Sequence, residues 1–591
     1  MRPQVDGGRY PIKRAVGDPV VVEADVFTDG HDAVVAELLF KFEKESEWHI
    51  VPMEFRHNDH WAASFRVEQL GRYQYTVRGW ADPWLTWQRD LKKRHEAGQD
   101  LTVDLQIGSE ILGSEITDYD AAMKVEAPPP QDHTVISFEK TLEVVVDPVR
   151  ARFSSWYEMF PRSFGGLAGM LEVLPYVERL GFDVLYLPPV HPVGVTARKG
   201  KNNAVSAKPG DTGSPWAIGA GAGGHKALNP ELGSFEDFHA LVREAEKRGM
   251  QIALDIAFQC SPDHPYVKQH PEWFRARPDG SIQYAENPPK KYQDIYPFDF
   301  ECESWRELWS ELKSIFEFWV GHGVKIFRVD NPHTKAFDFW EWAIGDLKRA
   351  HPELVFLSEA FTRPRVMHKL AKLGFTQSYT YFTWRNTKQE LADYFTELTQ
   401  HPSREYFRPN VWPNTPDILH ETLQHGGRPA FIVRVVLAAT LAANYGLYGP
   451  AYELAEHLPR EPGSEEYLDS EKYQIRRWER GRADSLKELI ARLNRVRHDN
   501  PALQSDWSLR FHPVDNAQIL AYSKRHEGNT ILCVVNLDFH HPQSGWVDVD
   551  IDGSFEVQDL LSGGRYTWAR GRNFVELNPG TLPAHVFKVL R

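Results

Sequence analysis

Apolar residues alternate with polar ones in short runs along the first hundred residues. Val20–Phe27, Ala33–Phe42, His60–Val67 and Gly71–Trp80 are such runs, and Asp29-Gly30, Asn58-Asp59 and Leu70-Gly71 punctuate them. A period of two broken by turn residues predicts strands, and several at close spacing predict an antiparallel sandwich. Residues 88–111 carry a partly helical pattern, and residues 127–133 (APPPQDH) read as a stiff linker. Ile136–Val146 alternates again before Asp147-Pro148, so it is expected to return as a last strand.

From residue 151 the rhythm changes. Val184–Val190, Ile252–Phe258, Val324–Asp330 and Val355–Phe361 are continuous apolar runs, with amphipathic stretches such as Phe235–Gly249 and Ser304–Gly323 between them. Strands covered on both faces read this way, and their alternation with helices predicts βαβ units. Residues 151–505 therefore read as one α/β domain, of a size that suits a (β/α)8 TIM barrel. Two stretches break the pattern: 191–230, rich in Gly, Lys and Asn, and 259–300, rich in Pro and aromatics. Both are expected as loop insertions on the functional face. Residues 506–591 return to strands at Ala517–Arg525, Asn529–Asp538, Gly545–Ile551 and Ala584–Leu590, predicting a C-terminal β-sandwich. Residues 1–150 make the N-terminal one.

Composition narrows the function classes. The 591 residues carry 68 basic and 82 acidic side chains, a net charge of −14, which disfavours a nonspecific nucleic-acid binder. Aromatics are 13% of the chain, enough rings to fill large cores. The three cysteines, Cys260, Cys302 and Cys533, cannot build a disulfide framework and suit a reducing, cytoplasmic setting. The N-terminal residues lack an apolar signal region, and no apolar run reaches the roughly 18 residues of a membrane span. No His–Cys spacing suggests a metal, and no phosphate-binding loop or cofactor motif is evident.

Polar residues at the C-terminal ends of barrel strands face the active site. Phe327-Arg328-Val329-Asp330 puts Arg328 and Asp330 on one strand face, Leu357-Ser358-Glu359 ends the next strand in a second acid, and Asn414-Thr415-Pro416-Asp417 supplies a third. Asp255 lies on an earlier strand. Two carboxylates on adjacent strands suit retaining glycosyl transfer, in which one attacks the anomeric carbon and the other serves as acid and then base. The first must stay ionised and the second must hold a proton. An Arg beside Asp330, and none in sequence beside Glu359, fits that division.

The pattern FRVDN (Phe327–Asn331), SEAF (Ser358–Phe361) and a late Asp resembles the α-amylase clan of glycoside hydrolases and transglycosidases. Longer motifs resemble one branch, the α-1,4-glucan:maltose-1-phosphate maltosyltransferases. They include ADVFTDGHD (Ala24–Asp32), WYEMFPRS (Trp156–Ser163), RKGKNN (Arg198–Asn203), YAENPPKKYQDIYP (Tyr284–Pro297), RVDNPHTK (Arg328–Lys335) and EEYLDSEKY (Glu465–Tyr473). The resemblance implies roles position by position: Asp330 as nucleophile, Glu359 as acid/base, Asp417 as transition-state stabiliser, and Arg328 as the orienting arginine. It implies a donor phosphate held at Lys290, Tyr292, Asn331, Lys472 and Tyr473. Donor sugars would lie against Lys199, Asn203 and Gln259, and Asn287 is a further substrate-binding residue. The substrates implied are α-maltose 1-phosphate and an α-1,4-glucan, with no cofactor, nucleic acid or membrane.

Two histidines typical of the wider clan are replaced here by Phe258-Gln259-Cys260 and Pro416-Asp417, as in the maltosyltransferase branch. The branch often carries a helical insertion that helps build a homodimer, whereas residues 108–135 read here as a short, Pro-rich segment. Lysines of the RKGKNN and PPKKY loops are expected to gather at the barrel mouth, with acids elsewhere. Trp84, Trp87 and Trp216 are candidates for stacking on glucan rings. The rival readings are a hydrolase or glucan transglycosidase of the same clan, and a non-catalytic glucan-binding protein.

Overall fold

The computed structural model describes residues 1–129, 134–288 and 290–590, with the backbone but not the side chain of Lys290. The linker expected over 127–133 falls mostly outside the described residues. The chain divides into two compact units, Met1–Asp147 and Pro148–Arg591.

The first unit is built mainly from two sheets. In the larger, Ile12–Ala15 lies parallel to Leu142–Asp147, which pairs in turn with Gly71–Asp82, Ala33–Phe42 and His49–Pro52. The second orders Pro19–Asp25, His60–Arg66 and Glu54–His57. The sequence alternation becomes burial: Val20, Val22 and Ala24 are inside, while Val21 is exposed.

Helices follow at Pro83–Glu96, Thr102–Leu112 and Tyr119–Lys124. The third falls where only a Pro-rich segment was expected. It has six residues, too few to display a helical period, and the Asp118 side chain caps it by accepting the Ala121 N–H. Trp84, Trp87, Leu91, Ile116 and Ala122 form the core of this helical cluster. Trp84 and Trp87 are therefore packing residues, which corrects the stacking role considered for them. Gly108 is required here, since a Cβ on it would meet the Trp87 ring at 2.0 Å.

The second unit contains the barrel. Its eight parallel strands are β1 (Ser154–Glu158), β2 (Val184–Leu187), β3 (Gln251–Ile256), β4 (Ile326–Asp330), β5 (Val355–Glu359), β6 (Gln377–Ser378), β7 (Asn410–Val411) and β8 (Asn444–Tyr448). They pair in ring order, and the Ser378 N–H donates to the Arg408 carbonyl to join β6 to the β7 segment. Helices α1 (Gly166–Leu180), α2 (Phe235–Lys247), α3 (Trp305–Gly321) and α4 (Phe337–Ala350) alternate with the first strands. The barrel continues with α5 (Pro364–Lys372), α6 (Lys388–Thr399), α7 (Gly427–Leu441) and α8 (Lys487–Asp499). Residues 191–230 hold only a short 3-10 turn, and residues 259–300 form one small hairpin, short helical turns and a two-residue antiparallel ladder that closes the segment.

Inward-facing residues are stacked from apolar to polar along the barrel axis. Ala253 precedes Asp255 on β3, Ile326 precedes Arg328 and Asp330 on β4, and Val355 and Leu357 precede Glu359 on β5. Trp156, Tyr186, Tyr379 and Trp412 complete the plug beneath the acids. This filled interior gives the charged layer a fixed floor.

The C-terminal strands form one six-stranded antiparallel sheet ordered Arg510–His512, Ile519–His526, Asn529–Asn536, Ala584–Leu590, Gln543–Asp559 and Arg565–Leu577. A bridge between Val514 and Val547 curls the sheet onto itself around Ile519, Val534, Val549, Trp568 and Phe587. No helix among the described residues is long and apolar enough to cross a membrane.

One buried cation ties the base of the barrel together. Arg497, on α8, is fully buried and donates to the carbonyls of Ala439, Ala442, Ala443 and Ser154. These are carbonyls of the end of α7, the turn into β8 and the start of β1, where helix ends leave acceptors unpaired. Arg497→Met keeps the packing stem and orphans these acceptors. It is expected to lower unfolding free energy by about 3 kcal/mol or more in urea titration. Turnover of the folded fraction should be unchanged, because the site lies at the other end of the strands.

Candidate active site

The strand register brings the acids together. Asp255 on β3 pairs with Arg328 on β4, and Asp330 pairs with Glu359 on β5. Because paired positions on neighbouring strands lie about 4.8 Å apart, two acids ending adjacent strands face one reacting centre.

Arg328 sits among all of them. Its Nη1 donates to Asp255 at 2.9 Å and Asp330 at 2.8 Å, while Nη2 lies 2.9 Å from Glu359. Its side chain is only 6% exposed, so these contacts are little screened. The sequence suggested an arginine that serves Asp330 alone. The geometry corrects this, because the planar guanidinium spans two strand spacings and reaches Glu359 as well.

The division of labour between the acids comes from the remaining charges. Burial would raise the Asp330 carboxyl, but Arg328, Lys335 and Lys472 hold it below the usual range. Burial pushes Glu359 up to about 8; Arg328 opposes the rise, while the negative charges of Asp330 and Asp417 add to it. At neutral pH Asp330 is ionised and Glu359 holds its proton. Burial likewise raises Asp255 to about 7, with Tyr186 donating to its Oδ2 at 2.5 Å. Glu158, at the end of β1, is pushed well above the carboxylate range by burial.

Beyond Asp330 the chain turns sharply. Asn331 adopts a left-handed conformation (φ 42°), and its N–H donates to Glu359 Oε2 at 3.2 Å while its Nδ2 donates to Asp330 Oδ2 at 3.3 Å. A single residue thus braces both acids. Asp417 lies across the cavity, with Lys472 Nζ donating to its two oxygens at 2.7 and 2.9 Å. The same ammonium sits 4.7 Å from the Trp216 ring centre.

These groups line a cavity of about 1040 Å³. Asp330, Glu359, Asp417, Lys199, Asn203, Gln259, Asn287, Tyr292, Asn331, Lys472 and Tyr473 all reach it, with Arg328 beneath them. The side chain of Lys290 lies outside the described residues. Trp216 is buried but still lines the cavity, unlike Trp84 and Trp87.

Several lining residues were missed in the sequence. Lys335, Asp294, Tyr284 and His333 lie there, as do Glu286, Glu465 and Glu466. The last three, with Asp294, correct the expectation that acids stay away from the mouth. Lys335 lies within the RVDNPHTK motif, which is the signal that offered it.

Beside Gln259, the structure gathers His225, Cys260 and His264 close enough to suggest metal ligands. The hydrogen bonds account for every ring nitrogen. His264 Nδ1 accepts the Tyr266 N–H, its Nε2 meets His225 Nδ1 at 3.0 Å, and His225 Nε2 donates to the Ala257 carbonyl. Burial pushes His225 down to about 4 and His264 to about 2, so both rings are neutral links in a chain that holds the strand end.

Barrel and strand-end acids together define a protein with the α-amylase fold. An α-amylase from Lactobacillus plantarum superposes with a TM-score of 0.59 at 21% identity, over 75% of this chain and all of that one. Residues 137–310 match the α-amylase catalytic domain family. Residues 1–152 match the family model "Alpha-1,4-glucan:maltose-1-phosphate maltosyltransferase, domain N/S", and residues 511–589 match "GLGE, C-terminal". A curated protein of Chlorobaculum tepidum with the maltosyltransferase name is 51% identical, over 99% of this chain and 95% of its own. One of Methylacidiphilum infernorum is 47% identical, over 99% and 94%. The chain belongs to the α-1,4-glucan:maltose-1-phosphate maltosyltransferase family.

The site electrostatics make a sign prediction. Asp330→Asn removes a negative neighbour, so the Glu359 carboxyl should titrate below its midpoint of about 8. Infrared titration, differenced against Glu359→Gln in each background, reads this out. A midpoint that stays or rises would contradict the charge coupling.

Proposed function

We infer that this chain transfers maltosyl units from α-maltose 1-phosphate to the non-reducing end of an α-1,4-glucan, releasing phosphate and building α-glucan with retained anomeric configuration. One observation carries this reading: a single cavity joins Asp330 and Glu359, which end adjacent strands, with lysine side chains, and the surrounding charges favour an ionised Asp330 while burial favours a protonated Glu359. The names of the relatives agree with it.

In this reading the Asp330 carboxylate attacks the anomeric carbon, and the C1–O electron pair passes to the phosphate. That phosphate takes the Glu359 proton and leaves as hydrogen phosphate. A maltosyl ester on Asp330 results. Esterification removes the Asp330 charge, which had raised Glu359, so the Glu359 carboxyl becomes more acidic and remains ionised. Ionised Glu359 then takes the proton of the acceptor 4-hydroxyl. The hydroxyl oxygen bonds to C1 and the Asp330 carboxylate departs. Asp417 stabilises the transition state and grips the sugar hydroxyls, and Arg328 fixes both reacting acids.

Tyr292, Asn331, Lys472, Tyr473 and Lys290 are assigned to the donor phosphate. Lys199, Asn203 and Gln259 are assigned to the donor sugars, and Asn287 to substrate binding more broadly. Fixed cations and N–H or O–H donors are what a phosphate requires. We place the reaction in the cytoplasm, a setting that suits the free thiols of Cys260, Cys302 and Cys533. Assembly as a homodimer rests on the family resemblance and is read by light scattering.

Phosphate needs less acid assistance than a sugar hydroxyl, so the demanding duty of Glu359 is the second step. Glu359→Ala should lose about 10²- to 10⁴-fold in glucan extension while accumulating maltosyl enzyme on the peptide containing Asp330, seen by mass spectrometry. Full extension activity in that variant would overturn the role. A wild-type protein that releases no phosphate from maltose 1-phosphate, yet shortens glucans, would favour the hydrolase reading.

A further inference from the structure

Lys335 is not among the phosphate residues assigned above, yet it lines the same cavity as Asp330 and Glu359. Its ammonium is anchored by two neutral oxygens, the Asn331 carbonyl at 3.3 Å and the Thr334 hydroxyl at 2.8 Å. It forms no ion pair among the described residues. An ammonium has three N–H donors, so one remains for a ligand. Lys472 differs, because its charge is already engaged by both oxygens of Asp417.

Position distinguishes the two lysines further. The charge of Lys472 acts with those of Asp417 and Asp330, whereas Lys335 lies within the fields of both Asp330 and Glu359. In a retaining displacement the leaving group departs on the face opposite the nucleophile, beside the acid. Arg328 holds Glu359 from beneath at 2.9 Å, so of these two lysines Lys335 is the one whose charge reaches Glu359 from the cavity, where the leaving group departs. Burial lowers the Lys335 ammonium from its usual range, and an arriving dianion would favour the charged form.

We propose that Lys335 is a phosphate-binding residue of the leaving-group subsite, its free N–H meeting a phosphate oxygen of the donor beside Glu359. This rests on the maltosyl-transfer reading. The bond that breaks is C1–O, its electron pair goes to the phosphate, and Lys335 offsets the charge that gathers there while Glu359 supplies the proton. Lys335 itself gains and loses no proton in the step.

The test compares two donors with different leaving groups, α-maltose 1-phosphate and α-maltosyl fluoride, in wild type, Lys335→Met, Lys335→Gln and Lys335→Arg. In the Met and Gln variants, the ratio of kcat/KM for the phosphate donor to that for the fluoride donor should fall about 10- to 100-fold, as for loss of one charge-assisted hydrogen bond. Inhibition of the fluoride reaction by inorganic phosphate should weaken similarly. Lys335→Arg should recover part of both. An unchanged ratio with unchanged phosphate inhibition would overturn the proposal, as would equal losses with both donors, which would make Lys335 a residue that tunes the acids. A wild type unable to use the phosphate donor would instead sink the transfer reading. Thermal melts of each variant separate folding losses from these outcomes.

Discussion

Too many acids meet too few cations at the mouth of this barrel. Glu158, Asp255, Asp330 and Glu359 crowd around Arg328, while Asp417 lies across the cavity with Lys472, and Lys335 lines the same cavity. In a buried layer such a set cannot ionise completely, because each added charge raises the cost of the next. Burial favours the proton on every acid of the layer, and the nearby cations decide which acid loses it. Arg328 touches three carboxylates and so does not choose between Asp330 and Glu359. Lys335 and Lys472 favour ionised Asp330, while burial, helped by the charges of Asp330 and Asp417, holds the proton on Glu359.

The fold exists to keep that arrangement from relaxing. A floor of Trp156, Tyr186, Tyr379 and Trp412 fills the barrel beneath the charges, so the arginine cannot withdraw. Asn331, forced into a left-handed turn, braces the two acids from above. The chain of His225 and His264 pins the end of β3 through the Ala257 carbonyl. These devices fix the acids and their partners before substrate arrives, so the charges need no reorganisation at the moment of reaction.

Much of this was legible in the sequence. The strands carrying Asp255, Asp330 and Glu359 announce themselves as long apolar runs, and their terminal acids follow from the barrel rule. Strands β6 and β7 did not, because Gln377–Ser378 and Asn410–Val411 have two residues each and carry polar side chains. The helix Tyr119–Lys124 was too short for its period to appear. Lys335 stood in a quoted motif, but only the turn at Asn331 brings its ammonium back toward the acids. Burial of Trp87 likewise depends on Gly108, a contact between segments that no local pattern records. The three-way contact of Arg328 was hidden for the same reason, since Glu359 is 31 positions along the chain from it yet one strand away.

The central claim is a distribution of protons: none on Asp330, one on Glu359, in the free enzyme at neutral pH. Neutron diffraction from a deuterium-exchanged crystal at pH 7 observes this directly. The expected map shows deuterium on a Glu359 carboxyl oxygen and none on Asp330. Deuterium on Asp330, or an unprotonated Glu359, would contradict the account.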